Sequence, residues 1–312
     1  MTNFSERDII RVFSKKLCID DLDDIARVGG DNVLKCDMLV SSTDVPPRMK
    51  PWQIARKSIV SCVSDFASKG ARPTAALISI GIPSGTEREF ITGLARGFSV
   101  SSKEFGVRIV GGDTNEASEL VIDCCMFGTA KSGAMPARTG AKAGDVVVVS
   151  GPFGLSAAGL AIIMKGAHSG TAFGRRAVRS VLEPIPRMLF GSKLARFFSS
   201  STDSSDGLAI SLYLLAKGSK VDIDIDSIPA AKGLYEFASY NSLDADELVF
   251  HGGEEYEIVS TIPRSKVPAA TAAAKRAGLK FYTIGNVRKG LGNVWLGRKK
   301  LENRGYVHFE RR

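Results

Sequence analysis

The sequence predicts a mixed α+β fold that is divided into two domains. Patterns typical of strands and of helices alternate along the whole chain of 312 residues. That length suffices for one large domain or for two of ordinary size. A polar, glycine-rich stretch at residues 138–145 separates two halves of similar style. We therefore place the domains at residues 1–136 and 137–312.

The first half is predicted to contain four strands and two helices. Pro51 suits the first position of a helix, because the N–H that it lacks has no partner there in any helix. Apolar residues then recur every three or four positions from Ala55 to Phe66, and Gly70 ends the helix. A second helix at residues 87–105 has acidic residues in its first turn, which favour a helix N-terminus. The strands are predicted at residues 34–41, 74–81, 107–110 and 120–130.

The second half is predicted to repeat this mixture, with a glycine-containing loop at residues 166–174. Val146 begins a short, continuous apolar run that is typical of a buried strand. Strands are predicted at residues 146–150, 221–225, 256–262 and 280–287. Helices are predicted at residues 156–165, 186–197, 207–217 and 264–277.

The composition excludes several classes of protein. Hydrophobic residues make up 44% of the chain and charged residues 24%, values that rule out global disorder. The apolar runs are far shorter than the roughly 18 residues of a membrane helix, and residues 1–11 do not resemble a secretory signal. The five cysteines show no CxxC spacing, so we expect reduced thiols in a cytoplasmic protein. With three histidines, a multi-histidine metal site is not expected.

Basic charge is concentrated near the C-terminus. The chain carries 42 basic and 33 acidic residues, a net charge of +9, and residues 288–312 hold eight basic and two acidic residues. This segment could bind a polyanion or could simply be a solvated surface. No zinc finger, RRM signature or interleaving of basic and aromatic residues is present, so no nucleic-acid module is predicted.

Seven aspartates lie where a strand or a helix meets a turn, beside glycine or apolar residues. Taken alone, Asp206 could cap the helix that follows it, Asp113 could close a turn, and Asp37 could face solvent on a strand. Asp31 could equally belong to a simple Gly-Asp-Asn turn. Asp65 lies on the flank of an apolar helix stripe, where a half-buried carboxylate needs a cation or a basic partner. The seven are Asp31, Asp37, Asp44, Asp65, Asp113, Asp203 and Asp206.

Taken together, these aspartates predict a magnesium–nucleotide site. Carboxylates that gather in a fold repel one another, and Mg²⁺ supplies the counter-charge while it shares its coordination shell with phosphate groups. The glycine pairs at 111–112 and 252–253 would let backbone N–H groups approach phosphate oxygens. The familiar GxxxxGK[ST] and strand-anchored GxGxxG motifs are absent from the sequence.

Six blocks of sequence follow one another in a characteristic order. The blocks are CDMLVSSTDVP at 36–46, VSDFASKGARP at 63–73, GGDT at 111–114, RTGAKAGD at 138–145, SSDGL at 204–208 and GGEEYE at 252–257. In this order they resemble the thiamine-monophosphate kinase family of the PurM-like ATP-binding superfamily. The resemblance runs from about residue 29 to the C-terminus, and the Ser-Thr-Asp-Val-Pro-Pro form is most similar to archaeal members.

The resemblance implies a role for each matching position. The implied metal ligands are Asp31, Asn32, Cys36, Asp37, Asp65, Asp113, Asp203 and Asp206. The implied nucleotide contacts are Gly112, Asp113, Arg138 and Ser205, and the implied substrate contacts are Asp44, Glu254 and Tyr306. Within these sets, Asp65, Asp113, Arg138 and Asp206 are the expected catalytic residues.

The chain departs from the family pattern at several of these positions. Asn32 stands where the second aspartate of a Gly-Asp-Asp motif is usual, which removes one charge unless Asp31 compensates. Cys36 stands at a position where serine or threonine often helps to hold metal, and a thiol is a poor ligand for Mg²⁺. Glu255 replaces the usual aspartate. Tyr306 could stack on the flat, cationic thiamine, or it could be a core residue of an edge strand.

The resemblance also implies an architecture and a reaction. The N-terminal domain is expected to form a homodimer through its sheet, and ATP and several Mg²⁺ ions are expected in the cleft between the two domains. The implied reaction converts ATP and thiamine monophosphate to ADP and thiamine diphosphate. Two alternatives stay open: another PurM-like enzyme (aminoimidazole ribonucleotide synthetase, selenophosphate synthetase or a hydrogenase maturation factor), and a protein that binds nucleotides or nucleic acid without catalysis.

Overall fold

The N-terminal part of the chain forms a five-stranded sheet. The computed structural model describes residues 4–19, 23–131, 135–168, 170, 172–280 and 282–309. The elements of this part are α1 (Glu6–Leu17), β1 (Ala26–Gly29), β2 (Asn32–Val40), α2 (Ser41–Asp44), α3 (Pro51–Ser68), β3 (Arg72–Ile82), α4 (Arg88–Phe105), β4 (Arg108–Glu116) and β5 (Val121–Thr129).

The strands of this sheet follow the order β1-β2-β5-β3-β4, and β3 and β4 form its parallel pair. Side chains alternate across the sheet, so that Val33 and Leu39 of β2 are buried in the core that includes α3. The opposite face exposes Met38, Leu77 and Phe127. One face of the sheet is thus packed and the other presents apolar side chains.

The C-terminal part of the chain forms a seven-stranded sheet. Its first elements are β6 (Asp145–Val149), α5 (Leu155–Lys165), α6 (Ala172–Leu182), α7 (Met188–Leu194), β7 (Ser200–Ser204), α8 (Leu208–Ser219) and β8 (Val221–Ile225). They are followed by α9 (Leu234–Tyr240), α10 (Ala245–Phe250), β9 (Glu257–Pro263), α11 (Val267–Arg276), β10 (Tyr282–Lys289), β11 (Val294–Leu296) and β12 (Lys299–Lys300). Short 3₁₀ turns at Ala195–Phe197 and Arg264–Lys266 follow α7 and precede α11.

Both faces of this second sheet are covered, and its strand order is β12-β11-β8-β10-β6-β9-β7. Val147 and Val149 pack in a core with residues of α5 and α8, whereas Val146 and Val148 pack in a core with residues of α7 and α11. Strand β6 is therefore apolar on both sides, which explains the continuous valine run.

Helix α3 joins the two parts of the molecule. Fifteen of its eighteen residues are buried, and it contacts β2 and β5 of the first sheet as well as β7 and α7 of the second part. A Cβ atom added to Gly191 of α7 would lie 1.8 Å from the carbonyl oxygen of Ala67. Glycine at position 191 thus lets the two helices approach closely.

Every strand and helix predicted from the sequence is present, although β4 continues to Glu116, six residues beyond its predicted end, and the mixed α+β class is confirmed. The first sheet draws its strands from residues before Gly140 and the second from residues after it, while the boundary at 136/137 stays a prediction. The predicted loop at 166–174 is wrong at its end, because α6 already begins at Ala172. In the described part of the chain, no helix is both long and apolar enough to cross a bilayer.

Candidate active site

Three buried carboxylates converge where the two parts of the chain meet. Asp24, Asp65 and Asp203 each place one carboxylate oxygen within 4.8 Å of the oxygens of the other two. They come from three separate segments: Asp24 precedes β1, Asp65 lies in the last turn of α3, and Asp203 lies on β7. We call these three residues the acidic cluster.

Hydroxyl groups hold the cluster in place. Ser64 Oγ donates a hydrogen bond to Asp203 Oδ2 at 2.8 Å, and this bond links α3 to β7. Ser68 Oγ donates to Asp24 Oδ2 at 2.8 Å, and Thr202 Oγ1 donates to Asp24 Oδ1 at 3.0 Å. Asp24 and Asp203 are thus oriented by neighbours that lie on a helix or a strand.

Asp24 is compensated by two permanent cations. Lys69 Nζ lies 3.0 Å from Asp24 Oδ2, and it also lies 2.6 Å from Asp23 Oδ1 and donates to the carbonyl oxygen of Ser201 at 2.6 Å. Arg138 Nε donates to Asp24 Oδ1 at 2.6 Å, and its second nitrogen pairs with the same oxygen. Burial alone would raise the pKa of Asp24, but Lys69 and Arg138 outweigh it and lower the pKa to about 2.

Asp203 and Asp65 carry negative charge that is less well compensated. Burial, together with the charge of Asp24, raises the pKa of Asp203 to about 7. Burial also raises the pKa of Asp65 well above its ordinary value, although Lys35 Nζ lies 2.7 Å from Asp65 Oδ2. Asp37 adjoins this pair, with Oδ1 3.7 Å from Lys35 Nζ. Hard oxygen donors with surplus negative charge are what Mg²⁺ prefers, so the residues present fit this ion.

A second polar group lies at the other end of α3. Lys57 Nζ donates to the carbonyl oxygen of Asp44 at 2.5 Å and forms an ion pair with Glu254. The Asp44 carboxylate is turned back to its own segment, where Oδ2 accepts a hydrogen bond from the N–H of Val40 at 2.7 Å. Two of the three predicted substrate contacts, Asp44 and Glu254, are therefore linked by the buried Lys57.

Tyr306 lies near the same loop. Its N–H donates to the carbonyl oxygen of Asp206 at 2.9 Å, and the N–H of Glu254 donates to the carbonyl oxygen of Ser205 at 2.6 Å. A Cβ atom on Gly253 would meet Ser205 O at 2.7 Å, so only glycine fits between these segments. The structure thus brings Ser205, Asp206, Glu254 and Tyr306 together.

Glu255 has a structural partner of its own. Its carboxylate accepts hydrogen bonds from the N–H groups of Gly154 and Ser156 at 2.7 and 3.1 Å, at the N-terminus of α5. Burial, with the nearby Glu257, raises the pKa of Glu255 to about 7. This carboxylate occupies a helix N-terminus that would otherwise attract an anion.

Among the predicted metal ligands, Asp37, Asp65 and Asp203 lie together, and Arg138 lies beside them. Cys36 does not lie with them within one chain, and its role as a ligand stays a prediction. Because strand side chains alternate, Cys36 faces away from α3, where its Sγ lies 3.1 Å from Asp123 Oδ1. Burial and Asp123 raise the pKa of this thiol to about 12.

Asp31 and Asn32 also lie apart from the cluster within one chain, and their assignment as metal ligands stays a prediction. They lie in the exposed turn between β1 and β2, where the carbonyl oxygen of Asp31 accepts a hydrogen bond from Ala130 N–H at 2.8 Å. Asn32 is five residues along β2 from Asp37, about 16 Å in an extended strand. The acidic pair at the cluster is Asp23 and Asp24, whereas Asp31 lies in a turn.

Gly112 and Asp113 are separated from the cluster within one chain. They lie on β4, at the edge of the sheet and three strands from β2, roughly 14 Å along the sheet. Asp113 is the register partner of Ser79 on β3, and the same row continues through Asp123 on β5 to Met38 on β2. Residues in one row point to the same side of a sheet, so Asp113 lies on the face that points away from α3. A Cβ atom on Gly112 would lie 1.8 Å from Ile78 O, so this glycine serves close strand packing.

Sequence reasoning missed Asp24 and the lysines Lys35, Lys57 and Lys69. The usable signal was the adjacent pair Asp23-Asp24 shortly before a short strand, but this pair lacks the neighbouring glycine that drew attention to Asp31. For the lysines no local signal exists, because lysine is almost always exposed.

Comparison with known proteins fits this architecture. Residues 22–130 match the family model described as AIR synthase related protein, N-terminal domain, and residues 142–295 match the AIR synthase related protein, C-terminal domain. The fold and the acidic cluster thus define a two-domain protein of the AIR synthase related class.

A more specific relationship follows from closer relatives. The chain is 40% identical over 314 residues to the thiamine-monophosphate kinase of Nitrosopumilus maritimus (strain SCM1), an alignment that covers 99% of this chain and 100% of that protein. The chain belongs to the thiamine-monophosphate kinase family, as the sequence blocks predicted.

Solved structures agree. The structure of AaThiL complexed with AMPPCP and TMP is 26% identical, covers 99% of this chain and 98% of that chain, and has a TM-score of 0.89. The hydrogenase maturation protein HypE in complex with ATP is 20% identical, covers 97% of both chains and has a TM-score of 0.69, a likeness that concerns the fold alone.

Proposed function

We propose that this protein is a kinase that transfers the γ-phosphoryl group of ATP to thiamine monophosphate and forms thiamine diphosphate. The observation that carries the proposal is the buried acidic cluster at the contact between the two parts of the chain, with Arg138 beside it. Support comes from the fold of a relative complexed with AMPPCP, a non-hydrolysable analogue of ATP, and with TMP.

Asp24, Asp65 and Asp203 would hold Mg²⁺ in this enzyme, together with Asp37. When bound, Mg²⁺ neutralises charge on the phosphate groups that react. Arg138 is already oriented by Asp24 and keeps 27% of its side chain exposed, so it can also contact a nucleotide phosphate. The chain supplies positioning and charge, which account for most of the catalysis in phosphoryl transfer.

No general base is required of the protein. The attacking oxygen belongs to a phosphate that is already anionic, and a new P–O bond forms as the bond between the β-bridging oxygen and the γ-phosphorus breaks. We expect direct transfer without a phosphoenzyme, since the cluster carboxylates are held by cations and hydroxyls. Labelling of the protein by γ-labelled ATP would contradict this mechanism.

The group formed by Asp44, Glu254 and Tyr306 would bind the thiamine end of the substrate. Glu254 supplies a negative charge for the cationic thiazolium ring, and Tyr306 supplies an aromatic ring that can stack on it. The ion pair with Lys57 keeps Glu254 beside Asp44 when substrate is absent.

We further propose that the protein is a cytoplasmic homodimer. The exposed apolar face with Met38, Leu77 and Phe127 is suited to contact with the same face of a second copy. The apolar character of this face supports the dimer that the family resemblance implies.

The function is tested by ADP release in a coupled assay, with thiamine monophosphate, with thiamine and without acceptor. We expect turnover that depends on Mg²⁺ and on thiamine monophosphate. Asp203→Asn should lower kcat by about 100-fold or more. Asp226→Asn, an exposed aspartate of the same part of the chain, serves as the matched control and should behave as the wild type. Equal ADP release with and without acceptor would contradict the proposal.

A further inference from the structure

Lys35 lies beside the acidic cluster, a position that the sequence did not predict. Its Nζ is 2.7 Å from Asp65 Oδ2 and 3.7 Å from Asp37 Oδ1, and its side chain is 21% exposed. Lys35 and Asp37 are two residues apart on β2, so both project toward α3. The ammonium group is therefore placed between the two carboxylates.

Lys35 reduces the surplus negative charge around the acidic cluster. Five carboxylates lie together: Asp23, Asp24, Asp37, Asp65 and Asp203. Within the described residues, three cations contact them, namely Lys35, Lys69 and Arg138. When all five carboxylates are ionised, the formal charge of the group is −2, which one divalent ion would balance. Without Lys35 the charge would be −3.

The three cations are not equivalent. Lys69 and Arg138 contact Asp23 and Asp24, and Lys69 is completely buried, so it is part of the folded framework. Lys35 contacts Asp65, the cluster residue for which no other ion pair is found in the described part of the chain. Its side chain is also partly exposed, whereas that of Lys69 is not.

We propose that Lys35 is a resident cation of the active site that takes the place of one metal ion and so sets how many divalent ions bind beside the nucleotide. This proposal rests on the proposed function. An ammonium group neutralises a carboxylate and donates hydrogen bonds, although it cannot coordinate phosphate as a metal does. A carboxylate has two oxygens, so Asp65 can keep one on Lys35 and offer the other to Mg²⁺.

The proposal predicts the stoichiometry of metal binding. Mn²⁺ is used as a paramagnetic probe with AMPPCP, and the ions bound per chain are counted by electron paramagnetic resonance during titration. Lys35→Met keeps the length of the side chain and removes its charge, so it should bind about one more Mn²⁺ per chain than the wild type. Lys35→Arg keeps the charge and should bind as the wild type does.

Controls separate this proposal from the one on which it rests. Lys103→Met removes an exposed lysine on α4 and should leave the stoichiometry unchanged. If Lys35→Met fails to fold, as judged by circular dichroism, Lys35→Gln is measured in its place. Unchanged Mn²⁺ binding in a folded, neutral variant overturns the role of Lys35 alone. Absence of any Mn²⁺ bound to the wild type beyond that held by free AMPPCP overturns the metal site as well.

Discussion

At the scale of single residues, the site depends on how each buried charge is compensated. Asp24 has two permanent partners, and its pKa falls to about 2. Asp203 has a serine hydroxyl as its hydrogen-bond partner, and its pKa rises to about 7. The pKa is thus lowered for one carboxylate and raised for the other, although their oxygens lie within 4.8 Å of each other. Asp24 is therefore already charged and oriented before any metal ion binds, whereas Asp203 must lose a proton to bind one.

The framework role of Lys69 leads to a prediction about stability. Lys69→Met would leave Asp23 and Asp24 without their buried partner, and breaking a buried ion pair costs about 3–5 kcal/mol of unfolding free energy. Chemical unfolding in the absence of divalent ions measures this loss. Lys103→Met, which removes an exposed lysine, should change the unfolding free energy by less than about 0.5 kcal/mol. Equal stability of the two variants would show that Lys69 is not a structural cation.

The raised pKa of Asp203 leads to a prediction about pH. Its folded-state pKa of about 7 lies above the ordinary value of 3.8, so its contribution to stability is complete below about pH 4 and is lost as the pH rises through 7. We expect the Tm of the metal-free protein to decline more steeply between about pH 5 and pH 8 in the wild type than in Asp203→Asn. Mg²⁺ should raise the Tm more at the alkaline end, where protons no longer compete for the carboxylate. Parallel profiles for the two proteins would contradict the assignment.

At the scale of elements, α3 sets the distance between the two polar groups of the site. Lys57, which holds Asp44 and Glu254, and Asp65, which belongs to the acidic cluster, are eight residues apart on this helix. At 1.5 Å per residue the separation along the axis is about 12 Å. Since α3 is buried between the two sheets, this separation is fixed before any ligand binds.

The close approach of α3 and α7 can be tested with one methyl group. Gly191→Ala would place a Cβ atom 1.8 Å from Ala67 O, so the helices must move apart. We expect a loss of about 1–3 kcal/mol of unfolding free energy and a larger fractional loss of kcat, because α3 carries Asp65. Ser192→Ala, at an exposed position of the same helix, is the control. A variant with normal stability would mean that the contact is looser than described.

At the scale of the whole molecule, the separation of Asp113 from Asp65 argues for a shared site. Both belong to motifs of the family, but Asp65 lies on α3, which packs against one face of the sheet, and Asp113 lies on the opposite face, at the edge of the sheet. If Asp113 has the nucleotide contact that the resemblance implies, it must reach the active site of a second copy. The proposed homodimer would then be required for activity, and a monomer would lack part of the site.

Mixing two inactive variants tests this arrangement. Asp65→Asn and Asp113→Asn should each abolish activity, but a mixed dimer has one site in which both aspartates are intact. Random reassociation of equal amounts should therefore restore about one quarter of the wild-type activity. Asp65→Asn mixed with Asp203→Asn is the control, because both substitutions affect the same side of the site. No recovery in the first mixture would place Asp113 outside the active site.

Much of this organisation could be predicted from the sequence, because an element that buries apolar side chains shows a clear spacing or run of apolar residues. Helix α3 was identified from Pro51 and its apolar spacing, and β6 from its valines. Strand β7 was missed, since the sequence SSTDS has no apolar residue and is buried only through its neighbours. Asp24 and the face occupied by Cys36 were missed for a related reason: both depend on contacts between distant segments, which periodicity does not encode.

The hydrogen bond between Ser64 and Asp203 also bears on the order of folding. It joins positions 139 residues apart, and the acidic cluster draws on segments from both halves of the chain. Neither half can hold these carboxylates together alone, so the proposed ion site forms only once the two halves have docked. If the two halves separate before their helices unfold, a bound ion would be released at that step. Sensitivity of the ion to a chelator would then detect this separation before any change in helix content.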